Sequence, residues 1–561
     1  MIKWFGFLNK EFNGLHESAF LLGLFALFSQ FVAVARDRLF AAHFGAGAEL
    51  DIYYAAFRIP DLIFVSIASF VAITVIMPFF VDHMNKSKES AQDFISSIFT
   101  VFFIAITVMC LIIYIFAPWL VNTFYDFPQA SRDSIVVLMR ILLLSPILLG
   151  ISNIFATITQ TFKNFLVYAI SPILYNIGIV LGLVFFYSER GLNLGIPGLA
   201  YGVILGALLH VGIQIPTVIH HGYFPRFAIR IPFQEIKKVF WLALPRTLGL
   251  SAGQISLFVL TGIASSMAIG SIAVFQLAFN LQSVPLSIVG VSYSVAAFPM
   301  LSKLYSRREM GAFSGQVMAA FRHIVFWSLP ITFLFVVLRA QIVRTILGAG
   351  QFGWNDTRLT AAALAIFSVS VVAQSLILLL VRGYYAAGRT YVPVVINVSS
   401  AFLIVGFAYL FNFLFATVPF FMYFMEALLR VDGATGSNML SLPLAYSIGM
   451  ITNVLVLWFL FKRDFKIEDD SDVQTSFRQS LYSSVIMGFV AYYMLAKFDK
   501  ILDINTFMGV FLQGAFSGVC GILAGGILLY FMHNKETKEI IAAMSDKFKK
   551  VKLVLPDVES I

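Results

Sequence analysis

The chain has 561 residues, of which 60% are hydrophobic, 60 are Phe and only 12% are charged, against roughly 25% charged in soluble domains. Such a composition excludes a water-soluble globular enzyme. The net charge of +9 has a sufficient cause in cationic loops beside an anionic lipid surface, so nucleic-acid binding need not be invoked.

Apolar segments of about 20 residues or more, the length that crosses a hydrocarbon core of roughly 30 Å, recur along the whole chain. The expected spans, about fourteen in number, are 18–43, 50–81, 93–120, 134–160, 166–187, 197–219, 236–266, 271–301, 314–343, 358–386, 391–417, 438–461, 476–496 and 506–532. Continuous apolar runs, rather than ten-residue alternation, select helices over a membrane barrel, and the fold class is an all-α polytopic membrane protein. The first run follows "MIKWFGFLNKEFNGLHES" without a small-residue cleavage site and reads as a retained span. Cys110 and Cys520 both fall inside spans, where two buried thiols are a simpler reading than a disulfide or metal cluster; no cofactor and no metal is expected.

The stretch 35–62, "ARDRLFAAHFGAGAELDIYYAAFRIPDL", places Arg36, Asp37, Arg38, Glu49, Asp51, Arg58 and Asp61 between two apolar runs. Each ionisable group at the bilayer centre costs at least about 2.5–3.5 kcal/mol, so the cluster must face water, partners or a ligand. Ser29, Gln30 and Arg36 fall on related faces of the first span, and Asp51 and Arg58, seven apart, share a face of the second. These residues are expected to face a cavity, where a guanidinium suits a phosphate or diphosphate. Asp37, Arg38 and Asp61 also read as snorkelling or paired interfacial residues, and Glu49 as a solvated loop charge. Further along, Arg140, His210, Arg246, Arg322 and His323 read as interfacial anchors or partnered core residues; Arg246, beside Pro245 in "LPRTLG", is the strongest candidate for an additional cargo contact.

Alternate connections carry the cations: Lys86 and Lys88; Lys163; Arg226, Arg230, Lys237 and Lys238; Lys303, Arg307 and Arg308; Arg382 and Arg389; Lys462, Arg463 and Lys466. Both termini are therefore expected in the cytoplasm. Internal repetition is also present. Pro299, Pro393 and Asn397 each lie 221 positions after Pro78, Pro172 and Asn176, and Phe279 lies 222 after Phe57. An offset of about six helices preserves orientation, so the halves are parallel repeats about a central cavity. The expected organisation is a cytoplasmic segment 1–17, an N-lobe of helices 1–6 over 18–222, a C-lobe of helices 7–12 over 223–463, two C-terminal helices over 464–533 and a cytoplasmic tail 534–561.

"FSQFVAVARDRLFAAHFGAGAELDIYYAAFRIPDL" resembles the first two helices of the MviN/MurJ family of lipid II flippases. "APWLV", "TFKNFLVYAISPILYNIGIVLG", "LPRTLGLSAGQISLFV" and "RGYYAAGRTYVPVVINV" match that family in the same order, from about residue 17 through helix 12. The resemblance implies a multidrug/oligosaccharidyl-lipid/polysaccharide exporter fold in the bacterial inner membrane. It also implies alternating access that moves an undecaprenyl-diphosphate-linked precursor to the outer leaflet, with Ser29, Gln30, Arg36, Asp51, Arg58 and Asn280 as substrate-binding positions. Partners are then the polyprenyl-diphosphate-linked glycan lipid and membrane lipids, with the protein acting as a monomer. The family usually has arginine at the positions of Gln30 and Asn280, an arginine pair near Phe64 and Val65, and an acidic-glycine pair at Ser69 and Phe70. Fewer fixed cations imply either compensation by other groups or a different polyprenyl-linked cargo. An integral-membrane glycan polymerase or ligase is the alternative from another class; Asp126, Asp133 and Asp356 form no paired carboxylate motif for it.

Overall fold

The structure is a computed structural model, and it describes residues 15–68, 70–71, 73–189, 191–467 and 470–541. Among the described residues every regular element is a helix. In chain order they are α1 (Leu15–Phe44), α2 (Ala48–Ala68), α3 (Ile73–Lys86), α4 (Lys88–Phe124), α5 (Gln129–Leu142), α6 (Leu144–Thr161), α7 (Phe165–Leu181), α8 (Ile196–Gly212), α9 (Ile215–His221), α10 (Phe233–Ser265) and α11 (Ser271–Pro285). There follow α12 (Ser292–Ser306), α13 (Met310–Val337), α14 (Arg339–Ile346), α15 (Trp354–Val369), α16 (Val371–Ala386), α17 (Tyr391–Thr417), α18 (Pro419–Leu429), α19 (Ser441–Asp464), α20 (Ser471–Phe498) and α21 (Phe507–Phe531).

Eleven helices or continuous helix pairs among the described residues are long and apolar enough to cross a membrane, and the pair α15 and α16, bent by 41°, makes a twelfth. Those twelve coincide one for one with the third to fourteenth spans expected from the sequence. The fourteen-span count differs by α1 and α2, which are absent from that set. The span expected over 50–81 is broken into α2 and α3.

Two compact units are present. The first comprises residues 1–284, 346–367 and 389–453, and the second residues 285–345, 368–388 and 454–561. In the first, α7 and α8 meet through glycines four apart on each helix. A Cβ on Gly178 would lie 2.2 Å from Gly206 Cα, and one on Gly182 would lie 2.5 Å from Gly202 Cα. The backbones thus touch, the geometry that small residues at four-residue spacing permit in lipid. α7 also packs on α1, and α10 packs on α2 and α17. The helices bearing the charged stretch are therefore held by α7, α10 and α11.

In the second unit α20 packs on α13 and α21. Arg322 of α13 meets Glu536 at 3.3 Å and Asp472 at 3.1 Å, and His323 meets Glu539 at 3.0 Å. Arg322 is thus a partnered core residue, and it ties the helical turn at 535–541 to the body of the unit.

Candidate functional site

The charged stretch builds a polar chain inside the first unit. On α1, Arg36 donates from Nε and Nη2 to Asp37 Oδ1 at 3.0 and 2.7 Å, and from Nη1 to Asn176 Oδ1 of α7 at 2.8 Å. Asp37 Oδ2 accepts from the Asn280 amide of α11 at 2.9 Å, and Asn280 Oδ1 accepts from Gln276 at 2.6 Å. Gln276 Oε1 in turn accepts from Arg58 Nη2 of α2 at 2.5 Å, while Arg58 Nε donates to the Thr261 hydroxyl of α10 at 2.8 Å. One unbroken line of hydrogen bonds therefore joins five helices. Asp37 and Arg58 are buried, where an unpaired charge is expensive; this line of partners is what permits them there.

Next to the chain lies a cavity of about 220 Å3, lined by Arg36, Tyr54, Arg58, Asp61, Gln276 and Asn280 with aromatic walls that include Phe40, Tyr53 and Tyr175. Arg36 stands eight residues before the end of α1 and Arg58 ten after the start of α2, about 12 and 15 Å along their axes from the turn that joins the two helices.

A guanidinium has five N–H donors. Arg36 uses three of them and Arg58 two, which leaves two and three without an acceptor among the described residues. Tyr54 lines the same space, and its hydroxyl is buried and has no hydrogen-bond partner among the described residues. An orphaned buried donor beside two incompletely used guanidiniums is a surface that an oxyanion would satisfy.

Sequence reasoning placed Arg36, Arg58 and Asn280 in this region, and the structure brings the three together. Arg36 is not an unpaired cation, because it shares its charge with Asp37 at 2.7 Å. Asp37 is thus a paired residue, as one of its two readings held, but paired at the cavity. Asp51 goes elsewhere: its Oδ2 accepts from Gly270 N at 2.6 Å and its Oδ1 from Ala273 N at 2.8 Å. It therefore caps the start of α11, where orphan backbone donors and the helix dipole favour a carboxylate. Ser29 and Gln30 are half-buried on α1 and do not line the cavity, and Arg246, half-buried on α10, does not line it either. Glu49, expected as a solvated loop charge, accepts a hydrogen bond from the Tyr187 hydroxyl at 2.7 Å.

Tyr54, Gln276 and Thr261 escaped the sequence reading, because an uncharged polar residue on an apolar helix has no distinctive spacing. Asn176 carried one available signal, its repeat relation to Asn397. The turn above the site is tightly closed. Gln351 N donates to Ala42 O at 2.8 Å, Ala46 N donates to Asp356 at 3.2 Å, and a Cβ on Gly270 (φ +90) would lie 2.0 Å from Ala46 O. Only glycine fits such a left-handed close approach.

Comparison with known proteins identifies the family and the fold. The family described as "Lipid II flippase MurJ" matches residues 40–513. A probable lipid II flippase MurJ from Treponema pallidum (strain Nichols) is 23% identical over 85% of this chain and 86% of its own length. Among solved structures, a lipid II flippase MurJ in an inward closed conformation superposes with a TM-score of 0.70 at 21% identity, covering 91% of this chain and 99% of that one. An inward-facing multidrug resistance MATE transporter of the MOP superfamily gives 0.64 at 16% identity, over 78% and 95% of the two chains. The protein described here belongs to the lipid II flippase MurJ family.

Proposed function

We propose that this multi-pass membrane protein carries lipid II across the bacterial inner membrane, from the inner to the outer leaflet, with the cargo diphosphate received between Arg36 and Arg58. The observation that carries this reading is the cavity lined by Arg36, Arg58 and Tyr54, whose two guanidiniums keep five N–H donors, and whose tyrosine keeps its hydroxyl, without a partner among the described residues. A diphosphate supplies several oxygen acceptors in a compact group, and charge-assisted bonds to it gain strength in a desolvated site. Gln276, Asn280, Asn176 and Thr261 hold the guanidiniums in place.

The cycle we propose is alternating access between two six-helix lobes related by the 221-residue repeat, with both termini in the cytoplasm and the protein acting as a monomer. Asn280 and Gln276 of the second half bond Asp37 and Arg58 of the first. Cargo that takes up the guanidiniums would compete with those bonds and so bias the equilibrium between states.

The missing family arginines at Gln30 and Asn280 support a second reading, in which the cargo is a different polyprenyl-diphosphate-linked glycan. Proteoliposomes carrying a labelled lipid-linked precursor test both. Lipid II should become accessible to an impermeant headgroup reagent faster with this protein than without it. Acceleration of another lipid-linked glycan alone would select the second reading, and no acceleration of either would count against transport.

A further inference from the structure

Between α17 and α19 the chain carries α18, eleven residues with the sequence PFFMYFMEALL. At 1.5 Å per residue it extends about 16 Å, half of what a span requires. Its two faces differ. Toward the protein, Met425 and Glu426 are buried, the Glu426 carboxylate accepts from the Ser437 hydroxyl, and Phe421 packs on Phe411 and Phe415 of α17 with ring centroids 6.2 and 5.2 Å apart. Arg358 donates to the carbonyls of Arg430 and Asp432 at 3.1 and 3.0 Å, which fixes the turn after the helix. Away from the protein, Phe420, Tyr423, Phe424 and Leu428 are 80, 63, 53 and 61% exposed. Their spacing of i, i+3, i+4 and i+8 forms one helical stripe.

We propose that α18 lies in the plane of the membrane at its outer interface, with Phe420, Tyr423, Phe424 and Leu428 set among the headgroups and upper acyl chains of the outer leaflet. Position and continuity identify lipid as the occupant. α18 joins the end of one span to the start of the next, opposite the cation-rich connections. α17, on which it packs, is exposed in the same way, with Phe402, Tyr409 and Phe413 at 75, 59 and 61%. The one acidic or basic residue of α18, Glu426, is turned into the protein, so the exposed stripe carries no charge against insertion, and aromatic rings favour the bilayer interface. α18 packs on α17, and α17 packs on α10, the helix that brings Thr261 to the polar chain.

Depth measurement tests this directly. Single cysteines at Tyr423 and at Thr435, each in a background with Cys110 and Cys520 replaced by Ser, carry an environment-sensitive fluorophore on the full-length protein in phosphatidylethanolamine–phosphatidylglycerol vesicles. At position 423 a lipid nitroxide near the headgroup should quench strongly, a nitroxide at the chain terminus weakly and aqueous iodide hardly at all. At position 435, an exposed turn, iodide should quench. Iodide quenching at 423 equal to that at 435 would overturn the proposal. So would strongest quenching by the chain-terminal nitroxide, meaning a deeply inserted hairpin, or no quenching by any probe, meaning that protein covers the face. Reaction of the 435 cysteine with an impermeant thiol reagent in intact cells separately fixes which leaflet is involved, and shielding of that cysteine would overturn the outer placement.

Discussion

Asp37 holds one edge of the Arg36 guanidinium, and if the proposed cargo diphosphate seeks that edge, Asp37→Asn removes its competitor. Asp37 Oδ1 accepts two bonds from Arg36, at 2.7 and 3.0 Å. A diphosphate that seeks the same edge of the guanidinium must first displace them. A hydrogen bond to a charged group contributes about 1.5–3 kcal/mol. Relieving the competition should therefore tighten binding of a diphosphate lipid by roughly tenfold to over a hundredfold. Transport should slow, because a more tightly held cargo leaves later and because Asn280 loses its carboxylate acceptor. Titration of a soluble polyprenyl-diphosphate analogue into purified protein reads the first effect, and the proteoliposome assay reads the second. The cycle closes with Arg36→Ala, in which Asp37→Asn should no longer tighten binding. Unchanged or weaker binding by Asp37→Asn with Arg36 intact would refute the competition and make Asp37 a positioning group for Arg36 alone.

Replacing Arg36 by Ala should abolish transport with the protein still inserted, and Arg36→Lys should retain part of it, since an ammonium lacks the guanidinium fork; flux and membrane abundance measured together check this. Gly206→Val should destabilise the first unit by about 1–3 kcal/mol or more, because a Cβ there lies 2.4 Å from Tyr175 O, whereas Gly212→Ala, with no atom within 4 Å, should leave thermal unfolding unchanged. Arg322→Leu leaves the fully buried Glu536 uncompensated and should cost about 3–5 kcal/mol, with the double change Arg322→Leu and Glu536→Leu recovering most of that loss in the same unfolding assay. For orientation, a cysteine at Ser87 should stay shielded from an impermeant thiol reagent in intact cells.

Most of the architecture was legible because lipid leaves the chain few options. With no water to pair backbone groups, long apolar runs must be helices, and twelve spans follow at once. The first two helices are harder to read, since the charges that make the site also lower their apolar character, and one apolar run holds two helices, α2 and α3. At the site, charge gave the location and not the partners. Asp51 and Arg58 share a helical face by spacing, yet Asp51 reaches forward to the α11 backbone at Gly270, a contact between residues 219 apart that no local pattern encodes. Gln276, Thr261 and Tyr54 are ordinary polar substitutions in apolar helices until the fold aligns them with Arg58.

The departures from the family pattern acquire a physical meaning in this network. By sequence, the loss of arginine at Asn280 is one cation fewer for the cargo. In the structure Asn280 stands between Asp37 and Gln276, donating to one at 2.9 Å and accepting from the other at 2.6 Å. An arginine there would be drawn to Asp37, and it could not accept from Gln276. Asn280→Arg should thus share Asp37 with Arg36 and unseat Gln276 from Arg58, so that much of the added charge is spent within the protein. Gln30 has no part in the chain and lies on α1 outside the cavity lining, so Gln30→Arg adds a cation without breaking a bond to Asp37. If cargo is a diphosphate lipid held in the cavity, Gln30→Arg should change its binding little, and Asn280→Arg should strengthen it by less than the about 1–2 kcal/mol of an unshared charge-assisted bond. The full gain from Asn280→Arg, measured by the same analogue titration, would mean that Asp37 does not absorb the new charge and that the paired state of Arg36 does not govern affinity.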